Sequence, residues 1–261
     1  MSTPAALYRY GLDCYLSGEA RVHRPPGARG MASSIGLLNE KSLHAQLKLW
    51  YAEPGDRFEV PVDGYVVDIV RGDLLIEIQT GSFSAIRHKL RSLVEDHPLR
   101  VVYPIPVEKW IVKLPAQGRG RTGRRRSPRR GSASDLFTEL VAFPDLIARP
   151  GFSLEVLLTR EEELRRLARG RRRRRPAWRT IERRLVDVAD RCIISEPADL
   201  ARWLPEELPE PFGTAELARA SGRPRWLAQK MTYCMSRAGA ISEVGRAGRA
   251  KLYSRTAAAE R

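Results

Sequence analysis

Cysteine is scarce in this chain: Cys14, Cys192 and Cys234 are the only three in 261 residues. No two of them stand at a CxxC spacing, so neither a zinc site nor a disulfide framework is indicated, and a reducing cytoplasm suits the composition. Long apolar runs are missing as well. No stretch approaches the roughly 18 to 20 uninterrupted apolar residues of a membrane helix, and the N-terminus lacks a signal-peptide core. A soluble protein with no membrane partner is the expectation. Acidic residues are in deficit, with 31 Asp and Glu against 46 Lys and Arg and a formal net charge of +15. An excess of that size points to a polyanionic partner.

The excess is unevenly placed. Residues 33–114 hold ten basic and eleven acidic side chains, a net of −1, whereas 212–255 hold nine basic and two acidic, a net of +7. Most of the rest lies in two arginine clusters, seven Arg within 119–130 and six within 169–175. Without apolar groups or interleaved aromatics, these read as mobile connectors that bind phosphates non-specifically rather than as stacking platforms for single strands.

The length suits two modest domains plus linkers. Residues 1–32 read as a disordered arm, and Met31 is a candidate true start. From Asn39, NEKSLHAQLKLWY sets Leu43, Leu47 and Trp50 at helical spacing with Glu40 on the same face, and His44 four residues on is placed to orient that acid. FEVPVDGYVVDIV alternates at Phe58, Val60 and Val62, and DLLIEIQT resumes the pattern after Arg71-Gly72, which predicts strands and a hairpin. SFSAIRHKLRSLVEDH predicts a helix with Ser82 as N-cap and Phe83, Ile86, Leu90 and Leu93 inward. LRVVYPIPV and KWIVKL predict two short strands, with Pro104 and Pro106 interrupting the first. The core therefore spans 33–115, with an Arg-rich linker at 116–132.

Residues 133–168 follow as an extension of the core, a helix (DLFTELVAFPDLI) and a strand (FSLEVLLT). A second Arg-rich linker occupies 169–177, and connecting helices occupy 178–211, beginning with IERRLVDVADRCI. In 212–255, a short helix, a turn at Gly222, a longer helix and a Gly/Arg hairpin match a winged helix, and 256–261 is a tail. In that motif the second helix would present Arg223, Arg225, Gln229, Lys230 and Arg237 to the major groove of DNA. Trp226, Leu227, Met231 and Met235 would face inward, and the wing would bring Arg246, Arg249 and Lys251 to phosphates or the minor groove.

With a hairpin loop centred on Arg71 and Gly72, Val70 pairs with Asp73, and Asp68 shares a face with Leu75, Glu77 and Gln79, Glu77 lying diagonal to Asp68. Two carboxylates among Val, Ile and Leu are costly unless a cation neutralises them, and hard oxygen ligands select Mg²⁺ or Mn²⁺ over zinc.

Glu40 on a helix, Asp68 on a strand and Glu77-Ile78-Gln79 on the next strand resemble the PD-(D/E)XK restriction-endonuclease-like superfamily, over roughly residues 35 to 114. The resemblance implies an α/β fold with a helix-flanked mixed sheet in the order helix, three strands, helix, strand. By the same resemblance Asp68 and Glu77 would hold the metal, Glu40 would assist from its helix, and metal-activated water would attack a phosphodiester. The usual lysine of the family is Gln79 here, an ExQ variant similar to that of competence-associated nuclease-like proteins. Lys89 in the following helix is the candidate for the missing charge. The expected function is a Mg²⁺-dependent endonuclease on duplex DNA, with a homodimer as a candidate assembly. The competing expectation is a non-catalytic DNA-binding regulator or scaffold with a degenerate nuclease fold.

Overall fold

The computed structural model describes residues 42–115, 122–168 and 177–256. It opens with α1 (Ser42–Tyr51), whose Leu43, Leu47 and Tyr51 fall on one face and are buried. Strands β1 (Arg57–Val62), β2 (Tyr65–Arg71) and β3 (Leu74–Ile78) form an antiparallel meander joined by two-residue turns. Gly64 (φ 80°) and Gly72 (φ 57°) supply the positive φ that such turns demand. A single 3₁₀ turn at Phe83–Ala85 and then α2 (Arg87–Leu93) bring the chain back. Strand β4 (Leu99–Leu114) is consequently parallel to β3.

Strand β5 (Gly123–Arg126) pairs antiparallel with the far end of β4. Strand β6 (Phe152–Ala168) lies parallel to β4 on its other side, and β7 (Ala177–Ile194) runs antiparallel to β6. Among the described residues this is a mixed seven-stranded sheet of order β1-β2-β3-β4-β6-β7, with β5 beside β4. The protein is thus mixed α/β. No helix among the described residues is long and apolar enough to cross a membrane.

Alternation along the strands gives the sheet two apolar faces. One, with Ile69, Ile76, Ile78, Val102 and Leu157, receives α1. The other, with Leu75, Val101, Leu154 and Val156, is covered by Phe83, α2 and the segment around α3 (Phe137–Leu140). Phe83 stacks on Phe143 at 4.8 Å and meets Tyr103 edge-on at 4.7 Å, tying the turn after β3 to that cover. The C-terminal elements are α4 (Pro197–Ala201), α5 (Thr214–Ala220), α6 (Arg225–Ala238) and the hairpin β8 (Ile241–Ala247) and β9 (Ala250–Arg255). Phe212 bridges to Tyr253, adding one more rung to the hairpin. Leu217, Leu227, Met231, Met235 and Ile241 join the same apolar cluster as Val101 and Leu154, so the C-terminal elements share the core of the sheet.

Several sequence expectations need correction. LRVVYPIPV and KWIVKL form one 16-residue strand. Gln79 N donates to Val102 O and Gly131 N to Pro106 O, so residues 102, 104 and 106 turn their polar backbone atoms away from β6. By residue 104 strand β3 has ended, so neither Pro104 nor Pro106 removes a ladder donor. IERRLVDVADRCI is strand β7 rather than a helix, because pairing along the whole of β6 outweighs local propensity. Of the connecting helices expected in 178–211, only α4 is present, and four residues of the expected linker 116–132 form β5. The single helix expected at DLFTELVAFPDLI is α3 between two 3₁₀ turns, Pro144 opening the second. Ser82 makes no side-chain cap, and α2 starts at Arg87. The arm 1–32, most of the linker 169–177, the tail beyond 256 and Glu40 lie outside the described residues.

Candidate active site

Three acids stand in a row across the meander. Pairings Phe58↔Ile69 and Val60↔Val67 leave Glu59 of β1 facing Asp68 of β2, and one step beyond Ile69↔Ile76 Asp68 faces Glu77 of β3. The expected register is therefore corrected by two residues. The turn is Gly72-Asp73, Val70 pairs with Leu75 rather than Asp73, and Glu77 lies opposite Asp68 rather than diagonal to it. A shift of two keeps the two acids at neighbouring positions, but their contacts divide: Asp68 meets His44 and Lys48 of α1, and Glu77 meets Lys89 of α2.

The ladder opens at this row. Asp68 Oδ2 accepts the Ile78 amide at 2.8 Å, so the carboxylate takes the place of a backbone acceptor between β2 and β3. On the β1 side, Glu59 has φ 52°, a left-handed conformation rare for a residue with a Cβ. Strain of this kind, of order 1–3 kcal/mol, clusters at functional sites.

Cations from both helices reach the row. His44 Nε2 of α1 lies 3.2 Å from Asp68 Oδ2. One turn later, the buried Lys48 donates to Glu59 Oε1 at 2.7 Å and sits 4.0 Å from Asp68 Oδ1. From the other face, Lys89 of α2 forms a close ion pair with Glu77 and hydrogen-bonds to the Val66 carbonyl.

These neighbours push the two facing acids apart. Burial and the adjacent Asp68 charge raise Glu77 to about 7, against the opposing pull of the Lys89 ammonium. Burial acts upward on Asp68 too, but the His44 hydrogen bond and charge, the Ile78 amide and the Lys48 ammonium together hold it below the usual carboxylate range. One acid stays ionised while its partner titrates near neutrality, a division of roles that acid–base and metal sites share.

Lys48 went unmarked in the sequence because an isolated lysine on an amphipathic helix reads as solvated. Its signal was the i, i+4 relation to His44, which puts both on one helix face. Gln79 is half-buried, and its amide serves its own turn, donating to Ser82 O at 2.8 Å and accepting from the Gly81 amide at 3.4 Å. Among the described residues, no group of three or more His, Cys, Asp and Glu is placed to hold a metal ion, and Glu40 lies outside them.

The C-terminal candidates divide. Arg225, Gln229 and Arg237 of α6 are exposed, as are Arg246, Arg249 and Lys251 of the hairpin, where Lys251 holds Glu243 at 2.7 Å. Lys230, half-buried, instead donates to Thr138 O, while the exposed Arg223 donates to Ser132 Oγ. Trp226, expected inward, is 51% exposed, whereas Leu227, Met231 and Met235 are buried. The buried stripe of α6 is centred on Leu227, Met231 and Cys234, and Trp226 falls just outside it.

Comparison with known proteins adds a family and a relative. The model of a family described as "Domain of unknown function (DUF8091)" matches residues 41–195. A protein of Treponema pallidum (strain Nichols), described as an uncharacterized protein, is 29% identical over 221 residues, 84% of this chain and 87% of its own length. No solved structure matches.

Proposed function

The chain belongs to the family described as Domain of unknown function (DUF8091), whose description names no chemistry, and from the site itself we propose a divalent-metal-dependent nuclease that hydrolyses phosphodiester bonds in duplex DNA. The observation that carries the reading is the Asp68–Glu77 pair, two acids at neighbouring positions of β2 and β3, near enough that the Asp68 charge adds to burial in raising Glu77 to about 7. Such a pair repels itself and is relieved by a cation. The order α1, antiparallel β1–β3, α2, parallel β4 supports a restriction-endonuclease-like core. The order α5, turn at Gly222, α6 and β8–β9 hairpin supports a winged helix that directs the protein to DNA.

The donor set fits Mg²⁺ or Mn²⁺. Both acids offer hard oxygens, and Mg²⁺ is commonly held through one or two carboxylates with water and substrate phosphate completing its shell. A bound ion supplies Lewis-acid polarisation of the phosphoryl group and an activated water. The chain's own contribution is orientation and charge. The Ile78 amide and His44 fix the Asp68 carboxylate from two directions. Lys89 Nζ, held by Val66 O, orients Glu77 and presents positive charge where Gln79, folded into its own turn, presents none. Glu77 can hold or release a proton at its carboxyl oxygens near neutral pH.

The test is cleavage of labelled duplex, branched and single-stranded DNA with Mg²⁺ or Mn²⁺, comparing wild type with Asp68→Ala and Glu77→Ala beside a binding assay. Metal-dependent cleavage by wild type, lost at least about 100-fold in both variants while binding persists, is the expected result. Tight binding with no cleavage under either metal favours a second reading, a non-catalytic DNA-bound regulator or scaffold. The Gln79 amide, engaged with Ser82 and Gly81 instead of the carboxylates, is the observation on its side.

A further inference from the structure

Past the register shift at Pro106/Glu108, strands β5, β4, β6 and β7 continue as a ribbon beyond the end of β3. Its two faces match charge differently. On the face away from α1, four arginines hold four separate acids: Arg124–Glu162 at 2.8 Å, Arg126–Glu108 at 2.9 Å, Arg160–Asp187 at 3.0 Å and Arg184–Glu182 at 2.8 Å. Arg166 and Arg179 face each other farther out on that side.

On the face shared with α1, the registers align Lys109 and Lys113 of β4, Arg125 of β5, Arg165 of β6 and Arg183 of β7. The acids among them are Glu161 and Glu163, and both are sunk into the sheet, Glu161 at 0% and Glu163 at 7% exposure. Their partners stay partly in solvent: Lys109 and Arg165 on Glu163 are 25% and 33% exposed, and Arg183 on Glu161 is 30% exposed. Arg125 is exposed, and Lys113 rests 4.7 Å from the centre of the Trp178 ring. Negative charge is thus inside and positive charge outside. This surface also reaches the end of β3, because Arg183 Nη1 donates to the carbonyl of Thr80, and of the two acids of the candidate site it is Asp68 that meets α1, through His44 and Lys48.

We propose that this face is a phosphate track for duplex DNA, guiding the backbone between the end of β3, on the Asp68 side of the candidate site, and the tip of the ribbon. The assignment rests on the nuclease reading for its orientation and on charge complementarity for its ligand. The four residue steps from Lys109 to Lys113 span about 13 Å, opposite about four phosphates of one strand.

The experiment measures binding of the full chain, without divalent cation, to a labelled duplex of about 30 base pairs from about 50 to about 200 mM salt. The same sequence as duplex RNA and as single-stranded DNA is run alongside. Lys113→Gln/Arg125→Gln/Arg165→Gln is expected to bind duplex DNA at least about tenfold more weakly, with the log–log salt slope shallower by about 2 to 3. Arg125→Gln alone, at an exposed position, is expected to lose about one unit of slope with an unchanged melting temperature. Arg124→Gln/Arg126→Gln on the opposite face should stay within about twofold of wild type. Wild-type affinity and slope in the triple and single variants, an equal loss from the opposite face, or binding only to RNA or single strands would each overturn the proposal. Cleavage by wild type is measured in parallel. Track-dependent binding without cleavage defeats the nuclease reading and leaves the track standing; cleavage with track-independent binding does the reverse.

Discussion

Glu77 has a consequence for pH opposite in sign to that of Asp68, whose carboxyl is held below its ordinary value. Its folded value of about 7 lies above the ordinary 4.5, so the folded state holds this proton more tightly than the unfolded chain does. The associated stability is complete below about 4.5 and is lost as pH rises toward 7, on the order of 3 kcal/mol across the window. Glu77→Gln should therefore flatten the pH dependence of the urea midpoint between those values, and an unchanged slope in the variant would reject the assignment. On the proposed nuclease function, Lys89→Ala is expected to abolish cleavage, because it removes the ammonium beside Glu77, while its far-ultraviolet circular dichroism stays that of wild type. At this scale the sequence was partly legible. That Asp68 and Lys89 lie near Glu77 was legible because strand alternation and helical spacing bring these positions together even when the register is two residues off. The link from His44 to Asp68 and the buried Lys48 were not found, since both depend on how α1 lies across the sheet.

Among the elements, local pattern succeeded where a segment is amphipathic with one period and failed where two periods compete. α1, α6 and the β1–β3 meander were readable in this way. In β7, Ile181, Leu185, Val188 and Cys192 stand at helical spacing, yet the segment pairs with β6 along its length. Nothing within the segment signals that partner. In β5, four residues of Gly and Arg look unable to fold, but β4 supplies the edge they need. The end of α6 offers a test of an element that was read well. Gly239 caps it at φ 87°, with nothing within 4 Å of where a Cβ would stand. Gly239→Ala should therefore cost only the left-handed backbone penalty, about 1 kcal/mol in chemical denaturation. Gly131 contrasts with it, because a Cβ there would meet Pro106 O at 2.7 Å. Gly131→Ala is expected to destabilise more than Gly239→Ala, in line with the cost of overpacking.

For the molecule as a whole, the division into a nuclease-like core and a separate winged helix is not matched by two cores. Leu217, Met231 and Ile241 share one apolar cluster with Val101, Leu154 and Phe83. Thermal unfolding is accordingly expected to be a single transition, coincident by near- and far-ultraviolet dichroism. Two separated transitions would show that the C-terminal elements fold independently. Composition announced this scale poorly, since hydrophobic positions in 212–255 carry no mark of whether they pack on each other or on the sheet.

The parallel course of β4 and β6 places Leu114 and Ala168 at the same end of the sheet, and Gly123 and Ala177 re-enter it from there. That end is twelve residues beyond the last rung with β3, roughly 40 Å of strand away from Glu77. Insertions at either connection would lengthen the chain without threading through the meander that holds the acids. The ribbon tip is therefore the natural place to graft a fluorophore or a purification tag, and also the place where related chains can differ in length while keeping the same chemistry.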